Sequence, residues 1–137
     1  MNTPYQSISS ILSSLFESIS FSEGHPPKLV NIKRLFTTDA TIIHVKTNNV
    51  VKWNLDAMID SFYEQISNGR LLAHTEKCIS KHIQLYDRIA HAWCEYEGYA
   101  KTPESERFWR GYMSIQLIQM NQDWLINHMV WQDETEQ

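Results

Sequence analysis

A chain of 137 residues, 42% of them hydrophobic, is long enough for one domain with a sizeable core (1–137) and too short for a second. Sixteen acidic residues against twelve basic ones give a net charge of −4, and the scattered Lys and Arg form no stripe that could neutralise phosphates, which argues against a nucleic-acid partner. Cys78 and Cys94 make neither a disulfide framework nor a redox motif and read as reduced thiols.

The first predicted element is a helix. Thr3 can cap it, Pro4 suits its first position, and Gln6 completes a capping box. Tyr5, Ile8, Ile11, Leu12, Leu15, Phe16 and Ile19 form its apolar stripe, with Ser7, Ser10, Ser14 and Glu17 opposite. The apolar run Ile8 to Phe21 is broken by Ser and Glu17 and lacks a positive leader, so neither a signal peptide nor a membrane span is expected; a soluble, cytoplasmic protein is. Glu23 to Pro27 breaks the run. A short second helix is predicted from about Pro27 to Phe36, carrying Leu29, Ile32, Leu35 and Phe36 on one side.

Ala40 to Lys46 reads as a strand, and Asn48-Asn49 turns it back through Val50 to Trp53. Asn54 can cap a third helix with the stripe Leu55, Met58, Ile59, Phe62 and Ile66, stopped at Asn68-Gly69. From Leu71 the period becomes two, and strands are predicted near Ala73 to Tyr86, Ile89 to Lys101, Arg107 to Met120 and Trp124 to Asp133. Asn121-Gln122-Asp123 connects the last pair. The expected architecture is α+β: three helices packed on one curved antiparallel sheet that closes as a cone around a pocket.

Three stretches of this sequence resemble the nuclear transport factor 2-like superfamily, which includes the SnoaL-like cyclases and the ketosteroid isomerases. Leu35 to Thr41 resembles the phrase that ends the second helix and enters the first strand; Ile89 to Glu97 is similar to the central strand of a bacterial branch; Gly111 to Leu117 with Trp124-Leu125-Ile126 and Trp131 resembles the closing hairpin. The resemblance covers nearly the whole chain and describes a fold more than an activity. It implies a cone-shaped α+β barrel, a homodimer through the outer face of the sheet, and a pocket for a small, often hydrophobic molecule. In the isomerases a catalytic Asp lies five residues after the position of Asp39, and His44 stands there in this chain; either residue type can move a proton. The isomerases' first-helix Tyr has no counterpart around Phe16, and no acid occupies Met113, Ser114 or Ile115, so a true ketosteroid isomerase is disfavoured.

Strand periodicity then divides the residues into faces. His91, Trp93, Glu95, Glu97 and Tyr99 share one face of their strand, with Ala90, Ala92, Cys94, Tyr96 and Gly98 on the other. In the next strand Trp109, Gly111, Met113, Ile115 and Leu117 form the apolar face, opposite Arg110, Tyr112, Ser114 and Gln116; in the last, Trp124, Ile126, His128 and Val130 oppose Leu125, Asn127, Met129 and Trp131. If Trp93 and Trp124 point inward, then His91, Glu95 and His128 share the interior with His44 at its mouth, as proton carriers in an apolar cone. His44, Glu95 and His128 are the candidate catalytic residues; Trp93, His91, Met113, Ile115, Phe62, Trp124 and Phe16 are the candidate ligand-binding ones. The plainer alternatives are a Glu95 paired with Arg107 or Arg110 and a structural, hydrogen-bonded His44. With the parity inverted, Tyr96, Tyr112 and Gln116 line the pocket instead.

His74, Glu76, Cys78 and His82 share one parity and are competent metal ligands, but Lys77 and Lys81 among them suggest an exposed sheet face, and no metal is expected. The absence of Gly-rich phosphate loops and nucleophile elbows leaves no cofactor to expect. Tyr96, Tyr112 and Trp131 are expected on the outer face, buried between two copies of the chain. Three functions follow: foremost a module that binds a small hydrophobic or aromatic molecule; next an enzyme doing general acid–base chemistry (isomerisation, dehydration or cyclisation) with His44 as base and Glu95 or His128 as partner; last a subunit that uses the fold for protein association alone.

Overall fold

The capping box forms as its residues dictate. Thr3 N–H donates to Gln6 Oε1 at 2.9 Å and Gln6 N–H donates to Thr3 Oγ1 at 3.1 Å, which starts α1 (Pro4–Ser18). In the computed structural model, which describes residues 2–134, the stripe buries Ile8, Leu12, Leu15 and Phe16, while Tyr5 stays exposed at the solvated first turn. The second helix is a 3-10 helix, Leu29–Leu35, not the longer element expected from Pro27. Its apolar residues Leu29, Ile32 and Leu35 are spaced by three, the period of that tighter winding. Phe36 already belongs to β1 (Phe36–Val45), which pairs with the arm β2 (Val50–Asn54).

Asn54 caps α2 (Leu55–Ser67) by accepting from Ala57 N–H at 2.8 Å, and Gly69, at φ +78°, turns the chain away after it. Four long strands follow: β3 (Ala73–Tyr86), β4 (Ile89–Lys101), β5 (Glu106–Met120) and β6 (Asp123–Asp133). Asn121 and Gln122, both at positive φ, make the two-residue turn between the last pair.

The sheet order is β2-β1-β6-β5-β4-β3. Two expectations are corrected here. The sheet is mixed, because β1 runs parallel to β6 while every other pair is antiparallel. It is also unclosed: β2 and β3 are its two ends and do not pair with each other, so the cone is a curved sheet rather than a barrel. Helix α1 lies against β3 and the 3-10 helix, and α2 against β1 and β2. The core between them holds Ile42, Ala92, Cys94, Tyr96, Ile115, Leu117 and Ile126, all almost wholly buried. Among the described residues no helix is long and apolar enough to cross a membrane.

The concave face has little room, and two glycines make what room there is. A Cβ on Gly98 would run into the Trp109 ring; one on Gly111 would meet the Tyr96 hydroxyl and lie 2.5 Å from the Gln132 carbonyl oxygen. Gly111→Ala is therefore expected to destabilise the fold by about 1–3 kcal/mol, the usual cost of overpacking, as read from urea unfolding curves.

Candidate functional site

Which face of each strand looks inward decides the site. In β4 the inward residues are Ala90, Ala92, Cys94, Tyr96 and Gly98; His91, Trp93, Glu95, Glu97 and Tyr99 look outward. This inverts the expectation that Trp93 faces the interior. Apart from Tyr96 the inward positions of β4 hold the small residues Ala90, Ala92, Cys94 and Gly98, and the Trp93 ring goes outside. Trp93, 47% exposed, stacks on Tyr112 at 5.5 Å between ring centres. His91 Nε2 contacts Ser114 Oγ at 3.0 Å, and Arg110 donates to Glu95 at 3.0 Å. The plainer reading of Glu95 thus matches its surroundings, and His91, Trp93 and Glu95 do not line the interior.

β6 changes faces partway. Ile126 lies opposite Leu117 and His128 opposite Gln116, so Asn127 is an extra residue in the strand. Trp124 and Ile126 point inward before the bulge; Met129, Trp131 and Asp133 do so after it. His128 consequently sits on the outer face, with Gln116 and Thr41, and its expected place in the pocket is corrected. A similar shift between Cys78 and Ser80 in β3 puts His82 opposite Trp93 on the outer face and separates it from His74, Glu76 and Cys78. Of the expected outer-face aromatics, Tyr112 is outside, whereas Tyr96 and Trp131 are inside.

At the open end of the concave face, inward residues of all six strands converge. The His44 ring stacks on Trp131 at 4.8 Å, and Trp53 from β2 stacks on the same indole at 6.1 Å. Asp133 Oδ1 accepts a 2.6 Å hydrogen bond from the Tyr96 hydroxyl. Its Oδ2 lies 3.6 Å from His44 Nε2, too long for a hydrogen bond, and 3.4 Å from an Arg107 nitrogen. The Arg107 guanidinium stands 4.9 Å over the Trp109 ring. Trp109 in turn faces His74 at 5.6 Å, and His74 meets the edge of Phe62 from α2. His74 Nδ1 bonds the Ile19 carbonyl at 2.8 Å, with Nε2 3.4 Å from Glu76 Oε1. The side chains of both pairs, His44 with Asp133 and His74 with Glu76, are only 11–20% exposed.

Electrostatics sort these groups. Burial alone would raise the Asp133 carboxyl, but His44, the Tyr96 hydroxyl and the Arg107 charge together outweigh it and hold the group below its ordinary value. Asp133 is therefore an anion. Burial, then the hydrogen bond to Asp133 and its charge, then the Glu76 charge push the Tyr96 hydroxyl far up, so it stays a donor. Burial and the neighbouring Cys78 push the Cys94 thiol up to about 12, and burial raises Cys78, which makes both inert.

Of the expected site residues, His44 alone among the three catalytic candidates stands at this convergence. Phe62 lines its His74 side, while Met113, Ile115, Trp124 and Phe16 face inward as buried core below it. Asp133, Arg107, Trp53 and Trp131 were not among the expected residues. Two surface clefts among the described residues, about 460 Å³ between α1 and β3 and about 400 Å³ between α1 and the 3-10 helix, contain neither His44 nor Asp133. Among the described residues no group of three or more His, Cys, Asp or Glu is arranged to hold a metal.

No protein-family model matches the sequence. No curated protein sequence matches it at a significant level. Solved structures do resemble the fold. A nuclear transport factor 2-like superfamily protein from Salmonella enterica serovar Typhimurium is 18% identical with a TM-score of 0.77, over 96% of this chain and 91% of its own. A candidate scytalone dehydratase from Novosphingobium aromaticivorans is 9% identical with a TM-score of 0.74, over 96% and 84%. A protein with a cystatin-like fold from Nostoc punctiforme is 12% identical with a TM-score of 0.66, over 96% and 92%. The chain has the nuclear transport factor 2-like fold.

Because Asp133 is held below its ordinary value, its stabilising contribution is complete above the unfolded value near 3.8 and is lost as pH falls through the lower folded one. Asp133→Asn is expected to cost about 1.5–3 kcal/mol at pH 7, the worth of hydrogen bonds to a charged group. The gap to the parent in urea unfolding should narrow below about pH 4.

Proposed function

We propose that this protein is an enzyme performing general acid–base chemistry on a small, flat hydrophobic or aromatic molecule held at the open end of the cone. One observation carries the reading: His44 is held face-on against Trp131 with its Nε2 3.6 Å from the Asp133 anion, which Tyr96 and Arg107 bind. An imidazole held on an indole beside a carboxylate offers its other nitrogen, Nδ1, as a base. The indole stack of Trp53 and Trp131 supplies a surface on which a ring can lie. The partner of His44 in this reading is Asp133 with Tyr96, in place of Glu95 or His128. The description of a structural neighbour as a candidate scytalone dehydratase is consistent with this class of reaction. The pure binding reading draws on the same indole stack and lacks a use for the ordered imidazole–carboxylate–hydroxyl chain.

The test is turnover of a panel of cyclic β-hydroxy ketones and conjugated enones. His44→Ala is expected to lower kcat by about 10²–10⁴, the usual contribution of one proton carrier, in protein that still unfolds cooperatively on heating. Turnover that survives in His44→Ala would overturn the assignment.

We also propose that the protein works in the cytoplasm as a homodimer through the outer face of the sheet. The Trp93–Tyr112 stack with Ile89 and Phe108 leaves a wet apolar surface there that a second copy would cover. Sedimentation should give a dimer for the parent chain and a monomer for Trp93→Asp with Tyr112→Asp; a monomeric parent would remove the proposal.

A further inference from the structure

Arg107 takes no part in the proton transfer proposed for His44, yet it belongs to the concave face. Inward positions of neighbouring strands form rows across the sheet. His74, Ala100 and Arg107 make the outermost row; Gly98 and Trp109 stand in the next; Tyr96, Gly111 and Asp133 stand in the third. The Arg107 side chain therefore crosses the middle row to reach Asp133. Gly98 makes the crossing possible. Having no side chain, it lets the Trp109 indole pack directly over it, and the guanidinium stands 4.9 Å above that ring.

The guanidinium is only partly spent. One nitrogen meets Asp133 Oδ2 at 3.4 Å, long for a hydrogen bond, and Asp133 is the one acid that meets it among the described residues. A carboxylate commonly takes two nitrogens of the fork side by side; here Oδ1 is engaged by the Tyr96 hydroxyl at 2.6 Å and only Oδ2 turns to Arg107. Glu106, next in sequence, lies on the outer face and accepts from the Tyr99 hydroxyl. Exposure differs as well: the Arg107 side chain is 65% exposed and that of Asp133 20%. The charge presented at the opening is thus the positive one, a planar fork with donors to spare.

That fork is close to His44. His44 Nε2 lies 3.6 Å from the same Oδ2, so imidazole and guanidinium flank a single oxygen atom and stand within reach of one small molecule. Trp131, on which His44 stacks, and Trp53 supply the apolar surface beside them.

We infer that Arg107 is the anion seat of this site and that the ligand is a flat ring carrying a carboxylate. The inference names a substrate class for the acid–base reading above, and it rests on that reading for the place of the ring beside His44. The guanidinium takes both carboxylate oxygens in two parallel hydrogen bonds, and the ring lies against the Trp53–Trp131 pair. Asp133 keeps the near edge of the fork, so the incoming carboxylate takes the far one. Arg107 moves no proton; it selects the charge of the substrate and fixes which end faces His44. A neutral isostere offers one acceptor in place of two and no charge, so it forfeits the clasp.

Calorimetric titration of the full chain with 2-naphthoate and its neutral isostere 2-naphthamide reads the seat directly. The parent should bind the carboxylate about tenfold or more tightly than the amide, the difference a charge-assisted pair makes. Arg107→Gln should abolish that preference by weakening 2-naphthoate and leaving 2-naphthamide unchanged. Arg107→Lys, which keeps a charge to meet Asp133 but not the fork, should reduce it. Arg110→Gln makes the same charge change on the outer face, where Arg110 holds Glu95, and should leave the preference intact. A parent that binds both compounds equally overturns the inference and leaves the acid–base reading standing. A preference that survives both Arg107 variants, or that Arg110→Gln removes as fully, also overturns it. If neither compound binds, the ring on the indoles and the anion seat fall together. A carboxylate preference in a chain that turns over none of the enone panel removes the acid–base reading alone.

Discussion

The hydrogen bond from Tyr96 to Asp133 is the contact on which the open end of the cone depends. It ties the middle strand of the meander to the last residues of β6 across the glycine at 111, and it only exists because that position has no side chain. Putting a carboxylate into a half-buried setting costs several kcal/mol unless the charge is met by partners. Asp133 has three, from β1, β4 and β5, so its cost is offset only when all three strands are in their native register. The Asp133 anion is thus positioned by the same condition that defines the fold.

Most elements were legible in the sequence because local signals and tertiary demands agree. The Thr3-Pro4-Gln6 and Asn54 caps form as read, and the boundaries of β3 and β4 coincide with the change to a period of two. The second helix was legible but its 3-10 winding was not, because three residues per turn and 3.6 are hard to separate over seven residues. Parallel pairing of β1 with β6 is a long-range arrangement with no local signature.

Of the three expected catalytic residues only His44 lies at the convergence around Asp133. Parity within a strand is readable, but which parity faces inward is not, and the bulk of Trp93 pointed the wrong way where the small residues Ala90, Ala92 and Gly98 gave the better cue. The bulges in β3 and β6 each add one residue that reverses the faces downstream, moving His82 and His128 out and Asp133 and Trp131 in. Nothing at Ile79 or Asn127 announces them. Functional groups beyond a bulge are therefore those that pattern reading places on the wrong side.

The bulge in β3 has another effect. An unclosed sheet leaves two rows of unpaired backbone groups, and the fourteen residues of β3 form the longer one. Phe21 occupies its start by bridging to His74, and further along the extra residue breaks the straight run that an incoming strand would need, with Lys77 and Lys81 flanking it. Copies of the chain are thus discouraged from adding strand to strand into an endless ribbon.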